Sequence, residues 1–148
     1  MTAATFCLLA SACFLMNGLL TGVWKYVCMM RSPEGTAPAY VDIAHRTSLM
    51  YAFACLVLKE LVPTSPVGPT ATLWVVAVPI IYFASAVALY MLHGWLRDTD
   101  NQLRQPHRLG SGQMPRFMIQ IYMVTLIAGE IGGVGILTYG LFASTFST

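Results

Sequence analysis

The sequence predicts an all-α integral membrane protein built as a four-helix bundle. Of its 148 residues, 57% are hydrophobic and only 9% are charged, whereas about 25% of the residues in a soluble domain carry charge. Apolar stretches long enough to cross a hydrocarbon core roughly 30 Å thick, at about 1.5 Å of rise per residue, fall near residues 5–29, 40–62, 71–95 and 117–142. We therefore expect one transmembrane domain over residues 1–148 and no separate soluble domain.

Charge and cysteine content exclude several classes. The net charge of +2 is too small and too scattered to predict nucleic-acid binding, so the lipid bilayer is the expected partner. The four cysteines lie in apolar spans without the spacing of a metal site or a disulfide framework. The N-terminus lacks the basic region of a signal peptide, so its apolar run is predicted to be a retained transmembrane helix.

The first predicted span carries one polar residue and ends in an interfacial belt. Asn17 would lie near mid-membrane, where its amide needs a partner, and we expect it to join two helices. Trp24, Lys25 and Tyr26 are typical of the membrane–water interface. The proline- and glycine-containing segment 31–39 then predicts a turn-rich loop.

The second span carries a histidine close to its start. His45 and Arg46 precede the apolar run 49–58, which places His45 near one edge of the hydrocarbon core. Ser48 and Ala52 follow on the same helical face, and small residues there leave room for a flat group such as a porphyrin. The alternative is that His45 snorkels to the interface or caps a neighbouring helix.

The third span and the loop after it hold the other histidines. Pro79 predicts a kink, and Tyr90 lies in an apolar setting. His93 is expected at the membrane interface and His107 in solvent, within the long polar connection 96–116. Such a loop either covers a site or meets the lipid head groups.

The fourth span contains a carboxylic acid between two glycines. Gly129 and Gly133 form a GxxxG pattern that lets two helices approach closely. Glu130 is costly to bury in a bilayer, so it should be protonated or paired with a residue such as Asn17 or Gln120.

Basic residues predict the orientation in the cell membrane. One Lys or Arg lies in the second loop, none lies near the termini, and seven lie in or beside the first and third loops. These seven are Lys25, Arg31, Arg46, Arg97, Arg104, Arg108 and Arg116. The first and third loops are therefore predicted to be cytoplasmic and both termini to lie outside.

Three residues within the membrane carry possible chemistry. A neutral imidazole such as that of His45 is a good axial ligand for haem iron and leaves the opposite position open. Iron with an open position can act as a Lewis acid on a substrate oxygen. Tyr90 could orient that oxygen through its hydroxyl. Glu130 either has a role in the site or makes a structural hydrogen bond. The other N–H of His45 needs a partner, for which Asp42 is one possibility.

Short motifs add a resemblance to a known family. The loop motif Ser32-Pro33-Glu34-Gly35 is followed by His45, by Pro63 eighteen residues later, and by Leu89-Tyr90-Met91 in the third span. In these features the chain resembles the styrene oxide isomerase family of four-span membrane proteins. The family has an asparagine where this chain has Tyr51, and it offers no counterpart to Glu130.

The resemblance implies a cofactor, an assembly and a reaction. His45 would ligate haem b at a site between the subunits of a homo-trimer, with Ser48 and Ala52 beside the cofactor. Ferric iron would open a small apolar epoxide, and a hydride shift would give the aldehyde. Tyr90, Tyr51 and Glu130 are the candidate catalytic residues. Two alternatives stay open: a membrane-associated glutathione or eicosanoid enzyme, and a non-catalytic haem-binding or structural membrane subunit.

Overall fold

The computed structural model describes residues 1–146, which are mostly helical. Its long helices are α1 (Ala3–Arg31), α2 (Ala39–Leu61), α3 (Pro69–Leu96) and α4 (Arg116–Phe146). All four are long and apolar enough to span a bilayer, which confirms the predicted all-α four-helix bundle. A 3-10 turn at Val62–Thr64 follows α2, and a short hairpin of β1 (Arg108–Leu109) and β2 (Gly112–Gln113) lies in the loop before α4.

Local signals fix the ends of the helices. The Thr2 hydroxyl accepts a hydrogen bond from the Thr5 N–H at 3.2 Å and caps α1. Pro69 opens α3, where the missing N–H would have had no helical partner. Helix α3 ends at Leu96 and is capped by Arg97, which has left-handed backbone angles of φ 51° and ψ 35°.

Helix α2 packs along both α1 and α3, and polar bonds join it to α1. The Ser11 hydroxyl donates to the Ala52 carbonyl at 2.8 Å, and the Asn17 amide donates to the Ser48 hydroxyl at 2.9 Å. The expectation that Asn17 joins two helices is confirmed. Because these groups satisfy one another, the α1–α2 pair buries polar atoms without exposing them to lipid.

Helix α4 approaches α3 through its glycines. A Cβ atom added at Gly129 would lie 2.8 Å from Val78 Cγ1, and one added at Gly133 would lie 2.6 Å from the Val75 carbonyl oxygen. The predicted close approach at the GxxxG pattern is therefore confirmed. The outward side of α4 is apolar and exposed, for example at Ile131 and Tyr139.

The two basic loops lie at the same end of the bundle. The Gln102 N–H donates to the Tyr40 hydroxyl at 2.5 Å, which ties the third loop to the start of α2. Thr2 and Pro63 line one cleft at the opposite end, beside the second loop.

His107 is only 7% exposed, so the expectation that it is solvated is wrong. Its Nδ1 bonds the Gln102 carbonyl oxygen, because the loop folds back over its own backbone.

Candidate functional site

The imidazole of His45 is held in one orientation by the backbone of α1. Its Nδ1 lies 2.8 Å from the carbonyl oxygen of Gly18. Because a carbonyl oxygen can only accept, Nδ1 is the donor of this bond, and in the Nδ1–H tautomer Nε2 carries the lone pair that can bind a metal. That Nε2 is not buried and has no hydrogen-bond partner among residues 1–146. A neutral histidine with one nitrogen anchored and the other open is the arrangement found at metal-ligating histidines.

Two glycines of α1 make this orientation possible. A Cβ atom at Gly22 would lie 2.9 Å from His45 Cε1, so the ring rests directly on the backbone there. A Cβ atom at Gly18 would lie 2.5 Å from Leu49 Cδ2, one turn further along α2. The glycines of the first span were visible in the sequence, but nothing local linked them to His45.

Asp42 is not the partner of His45, contrary to the possibility raised by the sequence. Its two carboxylate oxygens pair with Lys25 Nζ at 2.5 Å and with Arg46 Nη2 at 2.9 Å. The carboxylate faces the basic groups at the end of the span, because they offer a stronger interaction than a neutral ring. The Gly18 carbonyl takes its place as the acceptor for His45.

Ser48 and Ala52, which we expected beside a cofactor, are buried against α1. Ser48 is fully buried and Ala52 is 5% exposed, since α1 packs directly on both. Small residues on a transmembrane helix admit either a ligand or a neighbouring helix, and here they admit the helix. A flat group can therefore reach His45 only from the outer side of the α1–α2 pair.

The three candidate catalytic residues form a second group. The hydroxyls of Tyr51 and Tyr90 both lie within electrostatic range of the Glu130 carboxyl. The Tyr51 ring stacks on Phe83 with centroids 4.1 Å apart. Glu130 Oε1 is buried with no hydrogen-bond partner among the residues that the structure describes.

Tyr122 completes this group, and the sequence had not indicated it. It lies in electrostatic range of both Tyr51 and Tyr90, and its hydroxyl is 2.7 Å from Ser85 Oγ. Its spacing of eight residues from Glu130, about two helical turns, was the available signal. We call Tyr51, Tyr90, Tyr122 and Glu130 the tyrosine–glutamate cluster.

His45 and the tyrosine–glutamate cluster lie on different sides of the same protomer. Six residues separate His45 from Tyr51, which turns the two side chains about 120° apart around α2. His45 contacts α1 at Gly18 and Tyr51 contacts α1 at Phe14, whereas the other members of the cluster lie on α3 and α4. One copy of the chain therefore does not bring them together.

His93 is buried, not placed at the membrane interface as expected. Only 1% of its side chain is exposed, and its Nδ1 lies 2.8 Å from Asp98 Oδ1. Its ring packs on Tyr40 with centroids 5.1 Å apart. Nε2 is enclosed without a hydrogen-bond partner in residues 1–146, so a large planar group cannot reach it.

The Asp98 carboxylate fastens the polar loop to the end of α3. Burial acts to raise the pKa of Asp98, but its bonds to His93 and to the Gly110 N–H outweigh burial and hold that pKa below the usual value. The bond from the Gly110 N–H is 2.6 Å long. Both carboxylate oxygens are thereby used within the protein.

Within residues 1–146 no group of three or more histidine, cysteine, aspartate or glutamate side chains could hold a metal ion.

No protein-family model, curated protein or solved structure matches this chain. The fold defines a multi-pass membrane protein of four apolar helices. The open Nε2 of His45 and the tyrosine–glutamate cluster are its two candidate sites.

Proposed function

We propose that the protein is a membrane-embedded haem b isomerase that converts a small apolar epoxide to an aldehyde. The observation that carries this proposal is the geometry of His45, whose Nδ1 is fixed by the Gly18 carbonyl while Nε2 is open. A single imidazole held in this way fits the axial ligation of haem b. His93 does not fit, because its free nitrogen is enclosed.

The cofactor would lie between copies of the chain. Ser48 and Ala52 are covered by α1, which supports a haem group on His45 that would extend away from its own protomer. Since His45 and the tyrosine–glutamate cluster point in different directions around α2, the cluster that serves the cofactor would come from a neighbouring copy, provided that assembly gives access to the buried Glu130 carboxyl. Contacts between two different faces generate a ring when the rotation between copies closes, and the family resemblance implies a ring of three, a homo-trimer.

The protein's own groups would position and polarise the substrate. When bound, haem supplies a ferric iron that can act as a Lewis acid on the epoxide oxygen. Tyr90 and Tyr51 would donate hydrogen bonds to that oxygen as it gains charge. Glu130, as a neutral acid, would donate or relay a proton beside them. The reaction moves a hydride within the substrate, so atoms and electrons balance without an external oxidant or reductant.

An assay of the haem-loaded protein with an apolar aryl epoxide tests this proposal. We expect the aldehyde to form, and Tyr90→Phe to slow its formation by roughly a hundredfold, since one oxyanion-stabilising donor is lost. Tyr139→Phe is the matched control, because Tyr139 is exposed on the outer side of α4. A haem-loaded protein that forms no aldehyde would instead be a non-catalytic haem-binding subunit.

A further inference from the structure

A polar cleft lies at the end of the bundle that holds the two basic loops. The end of α1, the loop after it and the end of α3 enclose a volume of about 410 Å³. Its lining includes two guanidinium groups, two hydroxyls and an indole ring. These belong to Arg31, Arg97, Ser32, Thr36 and Trp24. The cleft is separate from both candidate sites of the proposed isomerase.

The two arginines of the cleft have no carboxylate partner among residues 1–146. The ion pairs found there use Lys25, Arg46, Lys59, His93 and Arg104. By contrast, neither Arg31 nor Arg97 makes a side-chain hydrogen bond within this part of the chain. Two unpaired guanidinium groups on one concave surface form a site for an anion.

The backbone at Arg97 adopts a conformation that residues other than glycine rarely take. Arg97 caps α3 with φ at 51° and ψ at 35°, and its N–H bonds the His93 carbonyl at 2.8 Å. Glycine usually takes this left-handed position because a Cβ atom is disfavoured there. The next residue, Asp98, bonds His93 and Gly110, which holds the turn at Arg97 in place.

The position of the cleft indicates which anion it meets. Trp24 lines it and Trp95 lies exposed at the end of α3, and tryptophans concentrate at the level of the lipid head groups. The hydroxyls of Ser32 and Thr36 lie 3.4 Å apart and add neutral donors. Forked guanidinium groups with hydroxyl donors match the oxygens of a phosphate group. Basic pockets between helices at this level bind phospholipid head groups.

We propose that this cleft binds a phosphate group, held by Arg31 and Arg97. The head group of an anionic phospholipid is one source of that phosphate, and a free phosphate ester is the other. Bound lipid here would brace the first loop against the start of the third loop. This inference does not depend on haem binding or on isomerase activity.

Native mass spectrometry of the full chain tests the site with three probes: phosphatidylglycerol, phosphatidylcholine and glycerol phosphate. We expect phosphatidylglycerol to bind more tightly than phosphatidylcholine, and Arg31→Gln to weaken it about tenfold, since one charge-assisted contact is lost. Arg97→Gly should weaken binding equally while leaving thermal stability unchanged or higher, because glycine suits the left-handed backbone. Arg108→Gln is the matched control, because Arg108 lies outside the cleft and makes no ion pair among residues 1–146.

The outcomes separate the two sources of phosphate. Competition by glycerol phosphate at matched concentration would identify a free phosphate ester as the ligand and still support the site. Equal weakening by Arg108→Gln, or full binding by a stable Arg97→Gly protein, would overturn the proposal. Absence of binding by all three probes would overturn it as well.

Discussion

At the scale of the residue, the orientation of His45 depends on backbone atoms of another helix. The Gly18 carbonyl accepts its Nδ1 proton, and the bare backbone of Gly22 makes room for its ring. A backbone carbonyl can only accept, so the bond to Gly18 favours the tautomer of His45 that carries its proton on Nδ1. The open Nε2 follows from that tautomer.

Glu130 provides a test at the same scale. Its Oε1 is buried without a partner among residues 1–146, and an ionised carboxylate there would be strongly disfavoured. We therefore expect Glu130 to be a neutral acid at pH 7 and Glu130→Gln, which keeps the shape, to change stability by only about 1 kcal/mol. Infrared spectroscopy should show a protonated carboxyl band that the variant lacks. An ionised band together with failure of the variant to assemble would contradict this expectation.

The sequence predicted the candidate residues better than it predicted their partners. The hydropathy pattern identified His45 and Glu130 as candidates, because a polar residue stands out within an apolar span. The partner expected for His45 was Asp42, one helical turn away, whereas the actual acceptor lies on α1. A single sequence reports neighbours on one helix but not which backbone atoms of another helix come close.

At the scale of the element, the spans and the glycine contact were predictable and the polar loop was not. Span length and apolarity follow from the bilayer, and the spacing of Gly129 and Gly133 encodes close packing. The third loop was expected to be solvated, because most of its residues are polar. In the structure the loop residue His107 is buried, as is His93 at the end of α3, since the Nδ1 atom of each finds a partner, Gln102 for His107 and Asp98 for His93.

The stability that the Asp98 carboxylate gives to the third loop should depend on pH. The pKa of Asp98 is lowered in the folded protein, so its contribution to stability is complete above the unfolded value of about 3.9 and is lost as pH falls through the folded value. We expect the Gly110 amide, which bonds Asp98, to lose protection from hydrogen exchange over that range. At neutral pH, Asp98→Asn should weaken the loop by about 1–3 kcal/mol, because it leaves a buried ring poorly paired.

Asp100→Asn is the control for this experiment. Its carboxylate is 63% exposed and pairs only with Arg104, so its removal should change the exchange of Gly110 little. Equal loss of protection in both variants would contradict a specific role for the Asp98 anchor.

At the scale of the whole molecule, the charge distribution matches the arrangement of the loops. The third loop contacts the start of α2 through Gln102 and Tyr40, so the basic residues of the first and third loops share one end of the bundle. The positive-inside rule predicts that this end faces the cytoplasm and that both termini lie outside. A trimer in which His45 of each copy meets the tyrosine–glutamate cluster of the next would complete the proposed site.

The orientation can be measured by accessibility. Ser111 is exposed near the tip of the third loop. After the native cysteines are removed, a Ser111→Cys variant in intact cells should resist a membrane-impermeant thiol reagent and react once the cells are opened. A cysteine replacing Ser65, in the second loop, should react in intact cells. The reverse pattern would show that the orientation is wrong.

The most direct test of the functional account is the absorption spectrum of the purified protein after expression with ample haem. The wild-type protein should show a Soret band, and His45→Ala should lose most of it while the helices still insert. His93→Gln, which also removes an imidazole, should keep the band. A wild-type protein without a Soret band, or a His45→Ala protein that retains it in full, would contradict ligation of haem b by His45.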